Sequence, residues 1–146
     1  MIDLRNKKDT IFKPDTSTAI SCPIYMSSVE AGFPSPAEDY IEGTLDLNKH
    51  LIKHPASTFF VRVSGDSMIK AGIFPDDILI VDRSLEPVDK KIVIAVLDGE
   101  LTVKRLRYRD KLIFLEPENP EYQPIKITED DSLEIWGVVT NVIHKV

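Results

Sequence analysis

Phe59-Phe60-Val61-Arg62-Val63-Ser64-Gly65-Asp66-Ser67-Met68 is the stretch on which the fold turns. Its first five residues are aromatic or β-branched apart from one arginine, the composition of a half-buried strand. Ser64-Gly65-Asp66 then supplies turn chemistry, and a single helical turn is expected near Ser67 to Lys70 with a stop at Gly72. Beyond it, Pro75-Asp76-Asp77 reads as a second turn, and Ile78-Leu79-Ile80-Val81-Asp82 as the next strand. The same rhythm continues downstream. Lys91 to Leu97 reads as a buried strand, Asp98-Gly99 as a hairpin turn and Glu100 to Tyr108 as the returning strand. Arg109-Asp110 turns into Leu112 to Leu115, and Leu133 to Ile143 is the last strand. Short strands at this spacing predict a mostly β fold, a single compact domain of largely antiparallel strands.

Upstream the pattern differs. Glu42 to His54 reads as a strand passing into a helix, with Asp46 as N-cap, Leu47, Leu51 and Ile52 on one face, and Pro55 as the stop. Residues 1 to 40 lack sustained periodicity and hold Pro14, Pro23, Pro34 and Pro36 among polar clusters. They read as an extended, flexible arm in which Ile24-Tyr25-Met26 can pair as a strand. The expected division is therefore an arm over 1–40 and a β domain over 41–146.

The chain has 146 residues, enough for one core, and its 42% hydrophobic content is ordinary for a globular protein. No apolar run reaches the roughly 18 residues of a membrane span, so no membrane association is expected. Met1 to Lys8 has no apolar segment after its charges, so no signal peptide is expected, and a cytoplasmic location is the simplest reading. The single cysteine, Cys22, excludes an internal disulfide. A net charge of −6 argues against a large nucleic-acid footprint. His50 and His54 lie four apart but lack the intervening glutamate of a zinc-peptidase helix. No metal and no cofactor are expected; His144 reads as exposed, and Asp76-Asp77, Asp130-Asp131 and the acids from Glu116 to Glu121 read as turn and surface acids.

Two residues carry candidate chemistry. Ser67 follows a tight strand-to-helix turn, where a hydroxyl can be exposed next to amides able to serve as an oxyanion hole. The plain alternative is that it caps the short helix. Lys104 stands out by strand parity. Arg105, Arg107 and Arg109 share one face and read as a solvated stripe, whereas Lys104 shares the other with Thr102, Leu106 and Tyr108. The ordinary alternative is an exposed strand lysine, and Leu101 and Val103 share the parity of the arginines, so a bulge would undo the count. A serine–lysine dyad needs no histidine. To act as base near neutrality, the lysine pKa must fall by about 3 units from about 10.4, a differential of about 4 kcal/mol that apolar burial can supply. Ala31-Gly32, in the arm, is a small-residue bond that can lie close to such a serine.

These pieces together resemble the LexA/UmuD family of self-cleaving serine–lysine peptidases, nearest to its UmuD/MucA branch of accessory subunits of error-prone DNA polymerase. The resemblance runs from about Ser28 to the C-terminus. It rests on Ala31-Gly32-Phe33-Pro34-Ser35-Pro36-Ala37, Val63-Ser64-Gly65-Asp66-Ser67-Met68, Asp77 to Asp82, Asp98 to Leu106 and Trp136-Gly137-Val138-Val139, in that order. It implies Ser67 as nucleophile, Lys104 as general base and Ala31-Gly32 as the scissile bond. It further implies a trigger by the RecA filament on single-stranded DNA, a UmuC-type polymerase as partner of the shortened product, and a homodimer. No direct sequence-specific DNA binding is expected.

Three other readings remain open at the level of sequence. A LexA-like repressor would need a DNA-binding domain, and the 31 residues before Gly32 lack the helical pattern of one. A signal peptidase would need a membrane anchor. A non-catalytic polymerase-interaction module would keep the fold without using Ser67 and Lys104.

Overall fold

Alternating side-chain direction explains most of the architecture. A computed structural model of the chain describes residues 11–25 and 41–146. They fall into two units, one taking in the chain up to Pro14 together with His54–Val146, the other Asp15–Lys53. Among the described residues the structure is mostly β and its strand pairs are antiparallel, as the sequence predicts.

The larger unit is built on one eight-stranded sheet. Its strands are β1 (Ile11–Phe12), β4 (Thr58–Arg62), β5 (Ile78–Asp82), β6 (Ile92–Leu97), β7 (Glu100–Arg109), β8 (Leu112–Glu116), β9 (Ile125–Lys126) and β10 (Leu133–Ile143). They are ordered β1-β4-β5-β10-β6-β7-β8-β9. The last strand is thus central. Its first half pairs with β6 (Ile135 opposite Ala95) and its second half with β5 (Val139 opposite Val81).

Strand β6 shows why the sheet reads as apolar runs. Ile94 belongs to a core cluster with Phe59, Val61, Val63, Met68, Ile73, Leu79 and Val81. Its neighbour Val93 belongs to a second cluster with Ala95, Leu106, Leu115 and Val138. Successive residues point to opposite faces, so a sheet covered on both faces needs apolar residues at consecutive positions.

The hairpins follow turn chemistry. β6 and β7 join through Asp98 and Gly99, both left-handed with φ of 48° and 84°. This is the primed two-residue turn that matches strand twist. β7 and β8 join through Asp110 and Lys111, with φ of 50° and 67°. The turn lies one residue later than Arg109-Asp110, the position expected from sequence. Between β4 and β5 the chain forms a 3₁₀ turn, Ile69–Ala71, which Gly72 ends in the left-handed region at φ 78°.

In the smaller unit β2 (Ser21–Tyr25) pairs with β3 (Ile41–Asp46), and α1 (Leu47–Leu51) follows. The Asp46 carboxylate accepts from the Asn48 amide at 2.9 Å, the cap expected from sequence. The helix is shorter than expected. It ends at Leu51, Leu47 stays 59% exposed, and Pro55 opens a 3₁₀ turn, Pro55–Ser57, instead of closing the helix. Pro suits that place because its missing N–H has no partner in a first turn. Within the stretch read as an arm, β1 and β2 are regular strands.

Candidate active site

The turn after β4 is shaped by three constraints. Gly65 adopts φ 83°, a conformation that suits glycine. Met68, 1% exposed, anchors the turn in the core immediately after Ser67. The Val63 amide donates to the Asp77 carbonyl, and the Asp76 amide to the Val63 carbonyl, closing the loop behind it. Ser67 is left partly exposed at the rim of a cavity of about 170 Å³, lined by residues of β4, β5, β6 and β7, with Lys104 in its wall.

Lys104 Nζ donates to Ser67 Oγ at 2.9 Å. It also reaches Thr102 Oγ1 at 3.1 Å and the Val103 carbonyl at 3.1 Å. The contact with Thr102 places both side chains on one face of β7, as strand parity predicts. Burial lowers the Lys104 pKa from the ordinary lysine value, because withdrawal from water disfavours the ammonium form. A neutral amine has two N–H donors and one lone pair. With the two donors directed at Thr102 Oγ1 and the Val103 carbonyl, the lone pair faces Ser67 Oγ. The same 2.9 Å line then allows the serine hydroxyl to donate to the amine. An arrangement of this kind can raise the nucleophilicity of a serine without histidine.

The arginines beside Lys104 are not the free stripe expected from sequence. Arg105 Nε donates to Glu118 Oε1 at 2.5 Å, Arg107 Nε to Asp89 Oδ1 at 3.1 Å, and Arg109 contacts Glu116 at 2.9 Å. Acids on neighbouring segments neutralise them.

Ser67 and Lys104 are therefore brought together, whereas Ala31-Gly32 lies outside the described residues. The sequence reading also missed supporting residues. Glu118 and Asn119, in a stretch read only as turn and surface acids, hold the Ser67 turn: the Glu118 amide donates to the Ser67 carbonyl at 2.8 Å, and Asn119 Nδ2 to the Asp66 carbonyl at 2.9 Å. Asp77, read as a surface acid, is 3% exposed; it accepts from the Phe74 amide and pairs with His144 at 2.5 Å. The density of Pro and Asn in Glu116-Pro117-Glu118-Asn119-Pro120 marks a turn but carries no signal of what that turn holds.

Among the described residues no group of three or more His, Cys, Asp or Glu is placed to hold a metal ion. Also among them, no helix is long and apolar enough to cross a membrane.

Comparison with known proteins gives the family. The Peptidase S24-like family profile matches residues 23–140. Protein SamA of Salmonella typhimurium is 47% identical over 133 residues, covering 91% of this chain and 90% of that protein. Protein ImpA of Escherichia coli is 48% identical over 125 residues, covering 84% and 83%. Protein MucA of Escherichia coli is 41% identical over 136 residues, covering 92% of each. A family profile spanning most of the chain, and relatives this similar along most of their length, place the chain in the Peptidase S24-like family, whose members are serine peptidases.

Proposed function

We propose that this chain is a self-cleaving serine peptidase of the bacterial DNA-damage response, and that its substrate is its own Ala31-Gly32 bond. The observation that carries the proposal is the 2.9 Å contact between Lys104 Nζ and Ser67 Oγ, in a cavity whose burial depresses the lysine pKa. Neutral Lys104 takes the hydroxyl proton as Ser67 Oγ attacks the Ala31 carbonyl. The tetrahedral intermediate collapses, the Ala31–Gly32 bond breaks, and the proton passes to the Gly32 amine. Water, activated by the same lysine, then hydrolyses the Ala31 ester on Ser67. Ala31 and Gly32 are small enough for the chain to lie against the Ser67 turn.

In this reading residues 1–40 are the arm that carries the bond, and 41–146 the domain that cuts it. Docking of the arm is the slow event, and a RecA filament on single-stranded DNA acts by favouring the docked state. The product, Gly32 to Val146, works in the cytoplasm as a homodimer that joins a UmuC-type polymerase in translesion synthesis. The similarity to MucA and ImpA over most of the chain supports this branch of the family.

Incubation of the full chain near pH 10 without any partner tests the chemistry, because Lys104 is then deprotonated. Mass spectrometry is expected to find a fragment beginning at Gly32. If the wild type is cut no faster than Ser67→Ala or Lys104→Ala, the peptidase reading fails. A cut at another bond overturns only the assignment of Ala31-Gly32. Gly32→Arg is expected to block cleavage while circular dichroism stays unchanged.

A further inference from the structure

The segment between β8 and β9 grips the Ser67 turn at several points. The Glu118 amide donates to the Ser67 carbonyl at 2.8 Å, and the Glu118 carbonyl accepts from the Lys70 amide at 2.8 Å. Asn119 Nδ2 donates to the Asp66 carbonyl at 2.9 Å, and the Tyr122 hydroxyl donates to Asp66 Oδ1 at 2.5 Å. The Glu118 carboxylate is held in turn by Arg105, the residue after Lys104. One segment thus touches both the turn that carries the nucleophile and the strand that carries the base.

Asn119 is the most constrained member. It is 6% exposed, and its Oδ1 accepts from the Glu121 amide at 3.0 Å while its Nδ2 serves Asp66. The two bonds fix the orientation of the side-chain amide, since the reversed form sets oxygen against the Asp66 carbonyl and NH₂ against the Glu121 N–H. The consequence reaches Ser67 through the backbone. A trans peptide is planar, with its C=O and N–H pointing in opposite directions. Holding the Asp66 carbonyl therefore fixes the direction of the Ser67 N–H.

We propose that Asn119 is a positioning residue for self-cleavage: by holding the Asp66 carbonyl it aims the Ser67 amide at the oxyanion that forms when Ser67 attacks. The proposal rests on the reading of Ser67 and Lys104 as nucleophile and base. It separates two tasks within the site. Burial in the cavity wall sets the proton affinity of Lys104, and the Glu118–Asn119 segment sets the donor geometry at the carbonyl under attack.

The test is the pH profile of self-cleavage in the full chain. Asn119→Asp keeps the acceptor for the Glu121 amide but sets an oxygen against the Asp66 carbonyl. Loss of one oxyanion donor costs about 10²–10³ in rate, and misdirecting one is expected to cost less, about 30-fold on the high-pH plateau. The midpoint of the profile, which belongs to Lys104, is expected to stay in place. Tyr122→Phe, an exposed change that leaves the core intact, loosens the same turn and is expected to lower the plateau about threefold.

Wild-type cleavage no faster than Ser67→Ala defeats the underlying reading. Wild-type cleavage with an Asn119→Asp plateau at the wild-type level defeats the proposal alone. So does a midpoint moved toward the ordinary lysine range with the plateau unchanged, which makes Asn119 a seal for the cavity. Should Asn119→Asp not fold, Tyr122→Phe decides, and a wild-type plateau for it counts against the proposal.

Discussion

Lys104 Nζ meets Ser67 Oγ at 2.9 Å across 37 positions of sequence, and burial holds the lysine pKa below its ordinary value. The depressed pKa has a consequence for stability. Between the folded and unfolded pKa values the unfolded chain binds more protons, so stability rises with pH through that window. Below it the fold carries the full cost of a buried ammonium, and above the ordinary lysine range it carries none. In a Ser67→Ala background, where no cleavage interferes, Lys104→Met is therefore expected to gain stability relative to its parent at pH 7. The relative gain is expected to shrink as pH rises through the lysine range. Urea unfolding of the two proteins at pH 7, 9 and 11 measures it. A difference that stays constant with pH means that Lys104 is not desolvated.

Thr102 defines where the lysine lone pair points. Its Oγ1 lies 3.1 Å from Lys104 Nζ, and the Val103 carbonyl takes the other N–H. Thr102→Val keeps the shape and removes the acceptor, so the neutral amine can rotate its lone pair away from Ser67. The plateau of the cleavage profile is expected to fall about tenfold, a modest share of what orientation can contribute, with little change in thermal midpoint. A wild-type plateau in Thr102→Val shows that the Val103 carbonyl and burial orient the amine without Thr102.

Strand parity and turn chemistry made much of this legible in the sequence. Asp98-Gly99 announced its hairpin because the primed turn requires left-handed residues, and those two residue types tolerate it. Asp110-Lys111 was placed one residue early because a lysine at φ 67° carries no glycine signal. Lys104 separated from its arginines because period-two alternation survives on a regular strand. The role of Glu118 and Asn119 was hidden for a different reason. Their bonds to Asp66 and Ser67 are to backbone carbonyls some fifty residues away, and a carbonyl has the same chemistry at every position. Asp77 and His144 were read as separate surface groups because their pairing depends on β10 lying beside β5.

Asp82 is a buried acid at the end of β5. Burial pushes its pKa up, but bonds from the Ser84 hydroxyl, His54, the Ser84 amide and the Ser57 hydroxyl outweigh it and bring the value down to about 2. For a depressed carboxylate, the stabilisation is present above the unfolded value, near 3.8, and is lost as pH falls through the folded value. Wild-type stability is therefore expected to decline between about pH 4 and pH 2. Asp82→Asn keeps the shape but removes the charge that four donors address. It is expected to cost about 2 kcal/mol at pH 7 and to flatten the acid limb. Thermal unfolding from pH 2 to pH 7 checks both. An unchanged acid limb in Asp82→Asn assigns the acid sensitivity to other groups.

Gly137 follows a register shift in β10, just after Ile135, and stands opposite Ile94 of β6. It is there for clearance. A Cβ at this position lies 2.7 Å from Val81 Cγ1 and 3.1 Å from the Asp82 carbonyl oxygen. Val81 is fully buried in the core cluster beneath the Ser67 turn and cannot swing away. Gly137→Ala must displace β10 from β5, and overpacking of this kind costs about 1–3 kcal/mol. The steric origin can be separated from any preference of the bulge for glycine. Val81→Ala removes Cγ1 and leaves a small cavity, so each single change destabilises, but the alanine methyl at 137 can enter the space vacated at 81. The double variant is expected to be more stable than the sum of the two single losses predicts, by about 1 kcal/mol. Chemical denaturation of the four proteins closes the cycle. Strict additivity shows that backbone, of the bulge or of Asp82, and not the Val81 side chain, is what excludes a side chain at position 137.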